Sequence, residues 1–112
     1  MRKNEESPAV TPSSGNVFAD LGIADADERQ TKVRLALAIN QILDQRRLSQ
    51  AEAARHLGIN QPKISALSNY RLEGFSVERL MHFLNALGRD VEIVIRSKPR
   101  SRRVARIFVT AA

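Results

Sequence analysis

Length and composition describe one small domain with tails. The chain has 112 residues, of which 43% are apolar, 27% are charged and none is Cys. These values allow a compact aliphatic core and exclude disulfides, thiolate metal sites and cysteine nucleophiles. No apolar run is long enough to span a membrane, and the polar N-terminus lacks a signal-peptide core, so we expect a cytoplasmic protein.

The positive charge is concentrated at one end of the chain. The 18 Lys and Arg residues exceed the 12 Asp and Glu residues, which gives a formal net charge of +6. Residues 96–112 carry six basic side chains and no acidic one, so residues 1–95 are balanced. A basic end attracts polyanions, of which nucleic acid is the commonest inside cells. A solubilising tail without a specific partner is the alternative.

The N-terminal quarter is predicted to be a lead-in followed by a helix. Residues 1–24 are polar for most of their length and are predicted to be flexible, with a small apolar cluster at Val17–Ile23 that docks on the domain or on a partner. A helix is expected from the capping-box spacing of Asp25–Glu28 to about residues 45–47. Its apolar stripe consists of Leu35, Ile39, Ile42 and Leu43.

Two short helices are predicted next, close together in the sequence. A second capping box starts a helix over residues 49–57, and Gly58 ends it. Asn60 has the side chain to cap a third helix over residues 60–69. Pro62 falls in the first turn of that helix, where a missing amide has no cost.

A fourth helix and a strand are predicted to complete the domain, which we place at residues 25–96. Ser76 caps the helix, and Gly88 ends it. The period then changes to two, which predicts a strand over residues 90–96. Residues 104–109 either pair with this strand or belong to a basic tail over residues 97–112.

The second and third helices form a helix-turn-helix pattern. Small Ala54 lies where two helices must approach closely, and Gly58 permits the positive φ of the turn. Four apolar side chains then anchor both helices to one core: Leu57, Ile59, Ile64 and Leu67. This pattern is typical of a DNA-binding motif whose second helix enters the major groove. A generic helical hairpin with a glycine is the alternative.

The segment LSQAEAARHLGINQPKISAL, residues 48–67, resembles the Cro and phage-repressor (XRE) family of helix-turn-helix regulators. Flanking similarity at residues 14–22 and 74–95 resembles small XRE regulators, many of which are HigA-like antitoxins. The resemblance implies an all-α, lambda-repressor-like bundle of four to five helices with a C-terminal β-strand. It also implies a homodimer on a palindromic operator and, in the antitoxin case, a RelE/HigB-like ribonuclease toxin as partner. The Arg-rich end has no counterpart in that pattern.

The resemblance also implies which residues contact DNA. Gln50 would contact a phosphate and brace Gln61, which begins the recognition helix and is suited to bond an adenine edge. Lys63, Ser65 and Ala66 are expected to contact bases or, for Lys63, phosphate. Asn60 is expected to cap the helix, and Asn69 and Arg71 to hold the DNA backbone and set register. The full predicted set is Gln50, Asn60, Gln61, Lys63, Ser65, Ala66, Asn69 and Arg71.

The predicted strand lacks a sheet within a small helical domain. Because an isolated apolar edge invites pairing, we expect Val91, Ile93 and Ile95 to pair with a second copy or with residues 104–109. Two recognition helices held about 34 Å apart would then read two half-sites of double-stranded DNA.

The predicted function is sequence-specific transcriptional regulation, most simply repression, without catalysis. A second hypothesis is toxin neutralisation with autoregulation of the operon, and a weaker third is RNA binding through the Arg-rich end. No cofactor is expected, and a metal site is not expected either, because His56 and His82 lie far apart in sequence without Cys or suitably spaced acidic residues.

Overall fold

The computed structural model describes residues 25–111, and these residues form four α-helices. The helices are α1 (Asp25–Gln45), α2 (Gln50–Leu57), α3 (Gln61–Ser68) and α4 (Val77–Ala86). Helix α1 packs against α4 and, less extensively, against α3, while α2 packs mainly against α3. The predicted apolar cluster at Val17–Ile23 lies outside the described residues.

The predicted caps fix the starts of three helices. The Ser49 hydroxyl accepts from the amide of Glu52, and the Glu52 carboxylate accepts from the amide of Ser49, so the capping box is complete. Asn60 and Ser76 cap α3 and α4 through their side-chain oxygens. The predicted starts of these helices are therefore confirmed, because each depends on hydrogen bonds within four residues.

One aliphatic core lies between the helices. The stripe predicted on α1 is buried, and Phe75 meets Phe83 edge-on with ring centroids 5.9 Å apart. The buried apolar side chains are Leu35, Ala36, Ile39, Ile42, Leu43, Ala53, Ala54, Leu57, Ile64, Leu67, Leu72, Phe75, Leu80, Phe83, Leu84 and Leu87. The all-helical helix-turn-helix fold is confirmed. No helix of the described residues is long and apolar enough to cross a membrane.

The prediction of a C-terminal β-strand was wrong for the part of the chain that the structure describes. Residues 25–111 contain no strand, and residues 89–99 run without turn or bend. A strand requires a neighbour that pairs with its backbone, and within the described residues the amides and carbonyls of residues 90–98 make no backbone hydrogen bond. The alternation of apolar side chains therefore indicated a preference for strand pairing that no segment within residues 25–111 satisfies.

Residues 90–111, which we call the C-terminal arm, leave the domain and return to it. The arm turns where the Arg102 amide donates to the Pro99 carbonyl at 3.2 Å. Val91, on the outgoing leg before this turn, and Val109, on the return leg after it, both pack against the core. The guanidinium of Arg34 in α1 lies 4.1 Å from the centroid of the Phe108 ring. The basic segment is thus joined to α1 rather than paired with residues 90–96.

Candidate nucleic-acid interface

The turn between α2 and α3 has the geometry that the motif requires. Gly58 has φ 69° and ψ 32°, the left-handed region that glycine occupies without strain. Its amide and the amide of Ile59 both donate to the Ala54 carbonyl. Ala54 is buried and Ile59 is half-buried, as predicted. These contacts hold α3 at a fixed angle to α2.

Helix α3 has one buried face and one exposed face. Ile64 and Leu67 lie in the core with 2% and 0% of their surface exposed. Gln61 and Ser68 are exposed, and Ser65 between them is half-buried. Because these three residues are spaced i, i+4 and i+7, they follow one stripe of the helix. This stripe carries hydrogen-bonding side chains without charge, which suits contact with the edges of bases.

The stretch of sequence that contains α3 has basic residues but no acidic ones. From Ala53 to Leu72 the sequence contains no acidic residue, whereas it contains Arg55, Lys63 and Arg71. Arg55 and Gln61 line the same shallow cleft over the turn. A stretch of this composition favours the approach of a polyanion to α3.

Three of the predicted DNA-contacting side chains are already engaged within the chain. The Asn60 amide oxygen accepts from the Lys63 amide at 2.9 Å, as the N-cap of α3. The Lys63 ammonium donates to the Gly74 carbonyl at 3.2 Å and lies 5.0 Å from the centroid of the Phe75 ring. The Asn69 side chain donates to the Ser65 carbonyl at 2.8 Å. In this conformation these groups shape α3 and its loop.

The other predicted residues lie at or near the surface. Gln50 is exposed at the first position of α2, and the described hydrogen bonds do not include the predicted brace between it and Gln61. Ala66 is half-buried and packs against the core, which leaves it less accessible than Gln61. Arg71 is exposed, and its amide donates to the Ala66 carbonyl at 2.9 Å.

Sequence reasoning missed three surface residues near α3. Arg55 shares the cleft with Gln61, and Ser68 continues the exposed stripe. Helical spacing from Gln61 would have identified Ser68. The side chain of Tyr70 is 41% exposed, and its backbone has φ 58°. No sequence pattern indicated that left-handed conformation for Tyr70.

Comparisons with known proteins agree with this geometry. A family model described as a helix-turn-helix domain matches residues 17–96, well over half of the chain. A solved structure described as an XRE family transcriptional regulator is 72% identical, with a TM-score of 0.76 over 80% of this chain and 100% of that one. No curated protein matches the chain significantly. The HigA-like subgroup stays a prediction, but the chain belongs to the XRE family of helix-turn-helix proteins.

Proposed function

We propose that the protein is a sequence-specific DNA-binding transcriptional regulator that inserts α3 into the major groove. The observation that carries this proposal is the stripe of Gln61, Ser65 and Ser68, which is exposed at Gln61 and Ser68 and lies beside the buried face of the same helix. Gln61 lies at the N-terminal end of α3, and the N-terminal residues of a recognition helix contact base edges in this motif. A Gln side chain bonds adenine in bidentate fashion.

The remaining polar residues would position α3 rather than read sequence. Gln50, Arg55 and Arg71 are exposed around the stripe, where contact with phosphates would fix the register of the helix. Lys63 is held near Gly74 and would reach DNA only by leaving that carbonyl. We therefore assign Lys63 a smaller part than Gln61.

We further propose that the regulator acts as a homodimer on a palindromic operator, most simply as a repressor. The side chains of Ile93 and Ile95 are 77% and 92% exposed. Exposed apolar side chains in a segment with strand periodicity favour a partner strand. With Val91 they would form the dimerisation strand, and the dimer would present two α3 helices to two half-sites.

The experiment that tests this function compares two duplexes. Fluorescence anisotropy would measure the affinity of the chain for a duplex from upstream of its own gene and for a shuffled duplex, at two salt concentrations. We expect a preference of about 10³-fold or more that persists at the higher salt. Equal affinities that fall steeply with salt would contradict sequence reading and would assign binding to the Arg-rich end.

Neutralisation of a RelE/HigB-like toxin is a second candidate function. The exposed apolar side chains from Ile93 to Ile95 favour a protein partner of some kind. Co-expression with the product of an adjacent small basic reading frame tests this directly. Stable co-purification, together with loss of the product's ribonuclease activity, would support the antitoxin function, and separate elution would contradict it.

A further inference from the structure

Residues 90–98 form the outgoing leg of the C-terminal arm. Their charged side chains are placed symmetrically about one central residue, with acidic residues before it and basic residues after it. Val94 lies at the centre of residues 90–98. Glu92 and Arg96 lie two positions on either side of it, and Asp90 and Lys98 lie four positions on either side. The first half of the segment is therefore acidic at the places where the second half is basic.

We propose that two copies of the protein join through residues 90–98 as antiparallel strands in the register that pairs Val94 with Val94. In that register Glu92 of each copy faces Arg96 of the other, and Asp90 faces Lys98. Four opposite-charge pairs form in one dimer, and such cross-strand pairs stabilise a sheet whereas like pairs oppose it. This register rests on the proposed homodimer and specifies how it assembles.

The two faces of the segment support the same register. With a period of two, the four charged residues and Val94 share one face, while Val91, Ile93 and Ile95 share the other. Val91 is half-buried against the core, whereas Val94 is 60% exposed. In the proposed register each Ile93 lies opposite Ile95 of the second copy, so the apolar face is paired along with the charges.

Within the described chain, the backbone of residues 90–98 is available to pair with a second strand. Residues 89–99 have no turn or bend, and the backbone of residues 90–98 makes no backbone hydrogen bond within the described chain. Pro99 follows the segment directly and lacks an amide to continue a ladder. The Lys98 ammonium donates to the Arg102 carbonyl at 2.6 Å, yet three donors let it also meet a carboxylate.

Pairing with the return leg of the same chain fits the charges less well. If Val91 were opposite Val109, as their shared contact with the core favours, Lys98 would face Arg102. Glu92 would face Phe108 instead of a basic residue. A second copy is therefore the better partner for residues 90–98.

The register is tested by cross-linking, since the chain has no natural Cys. Val94→Cys places two thiols on directly opposed residues, within the Cα separation that a disulfide spans. Ile93→Cys places them about 7–8 Å apart on a diagonal, beyond that range. We expect oxidation without DNA to link V94C into dimers at least tenfold faster than I93C. Equal rates, or no dimer from V94C, would overturn the register.

Charge reversal provides an independent readout that does not need cysteine. Glu92→Arg sets two like-charged pairs in the dimer and should raise its dissociation constant roughly tenfold in analytical ultracentrifugation. Adding Arg96→Glu to this variant restores opposite charges and should return the constant to within about threefold. Glu73→Arg, an exposed loop residue with the same charge change, is the matched control.

The outcomes separate the register from the proposed function. The proposal would be overturned if Glu92→Arg left the dissociation constant of the dimer unchanged. It would also be overturned if adding Arg96→Glu did not restore that constant. A monomeric mass for the unmodified chain at tens of micromolar would also overturn it. Both assays are made without DNA, so their failure would leave duplex recognition by α3 to be judged by the anisotropy experiment.

Discussion

The side-chain amide of Asn40 donates a hydrogen bond of 3.1 Å to the main-chain carbonyl of Leu67. This bond joins the C-terminal half of α1 to the last turn of α3, across 27 positions of sequence. Leu67 is fully buried, and its carbonyl also accepts from the Tyr70 amide at 3.2 Å. The helix proposed to enter DNA is therefore fixed to the core at its C-terminal end as well as at the turn.

Removing that bond should destabilise the domain measurably. Asn40→Ala leaves the Leu67 carbonyl with one donor fewer in a partly buried position. We expect the free energy of unfolding to fall by about 1 kcal/mol in urea titrations. Gln41→Ala, at the exposed neighbouring position of α1, should change it by less than about 0.5 kcal/mol. Equal effects of the two variants would contradict a specific role for Asn40.

Gly58 should be far less tolerant of alanine than Gly74. A Cβ at Gly58 meets no atom within 4 Å, so the cost comes from its φ of 69° alone. We expect Gly58→Ala to lower stability by about 1–2 kcal/mol in thermal unfolding. At Gly74 a Cβ meets only the far end of the long Lys63 side chain, at 3.0 Å, which can shift, so Gly74→Ala should cost less than about 0.5 kcal/mol. A Gly58 variant as stable as the parent would contradict this account of the turn.

The capping box at α2 should make stability depend on pH. The Ser49 amide, followed by the Ser49 hydroxyl, lowers the pKa of Glu52 below its ordinary value of 4.5. A depressed pKa in the folded state gives stability that is present above pH 4.5 and is lost as pH falls through the folded value.

Glu52→Gln isolates this effect, because glutamine can also complete a capping box but does not titrate. Urea titrations between pH 7 and pH 3 should show the advantage of the parent over the variant shrinking toward the acid end. A difference that stays constant over that range would show that Glu52 contributes no pH dependence.

The contact between Arg34 and Phe108 should hold the return leg of the arm. The ring of Phe108 lies 4.1 Å from the Arg34 guanidinium and 4.7 Å from that of Arg106. Cation–π contacts at exposed sites are worth about 0.5–1 kcal/mol. Phe108→Ala should therefore raise the rate of tryptic cleavage after Arg103 and Arg106 about two- to fivefold. Val104→Ala, at a 74% exposed position, should leave that rate unchanged.

Local interactions made most of the fold predictable. The caps at Ser49, Asn60 and Ser76 each act within three residues, and all three are present. The apolar stripes of α1 and α4 follow the helical period, so sequence alone indicates which faces are buried. The family resemblance rested mainly on residues 48–67, which include two of these caps, and the assignment to the XRE family is confirmed.

Contacts between distant residues could not be predicted in this way. The bond from Asn40 to Leu67 depends on how α1 crosses α3, which neither helix encodes alone. Lys63 was expected to face DNA, but the loop eleven residues later supplies a carbonyl for its ammonium. The strand prediction was wrong for a related reason, because periodicity indicates the faces of a strand but does not supply its partner.

Duplex recognition by α3 is tested most directly by one substitution measured on two duplexes. Anisotropy titrations of Gln61→Ala and its parent would use the upstream duplex and its shuffled counterpart, with Gln41→Ala as the exposed amide control. We predict that Gln61→Ala weakens binding to the upstream duplex by about 1–3 kcal/mol and leaves binding to the shuffled duplex nearly unchanged. Equal losses on both duplexes, or no loss on either, would contradict base reading by Gln61.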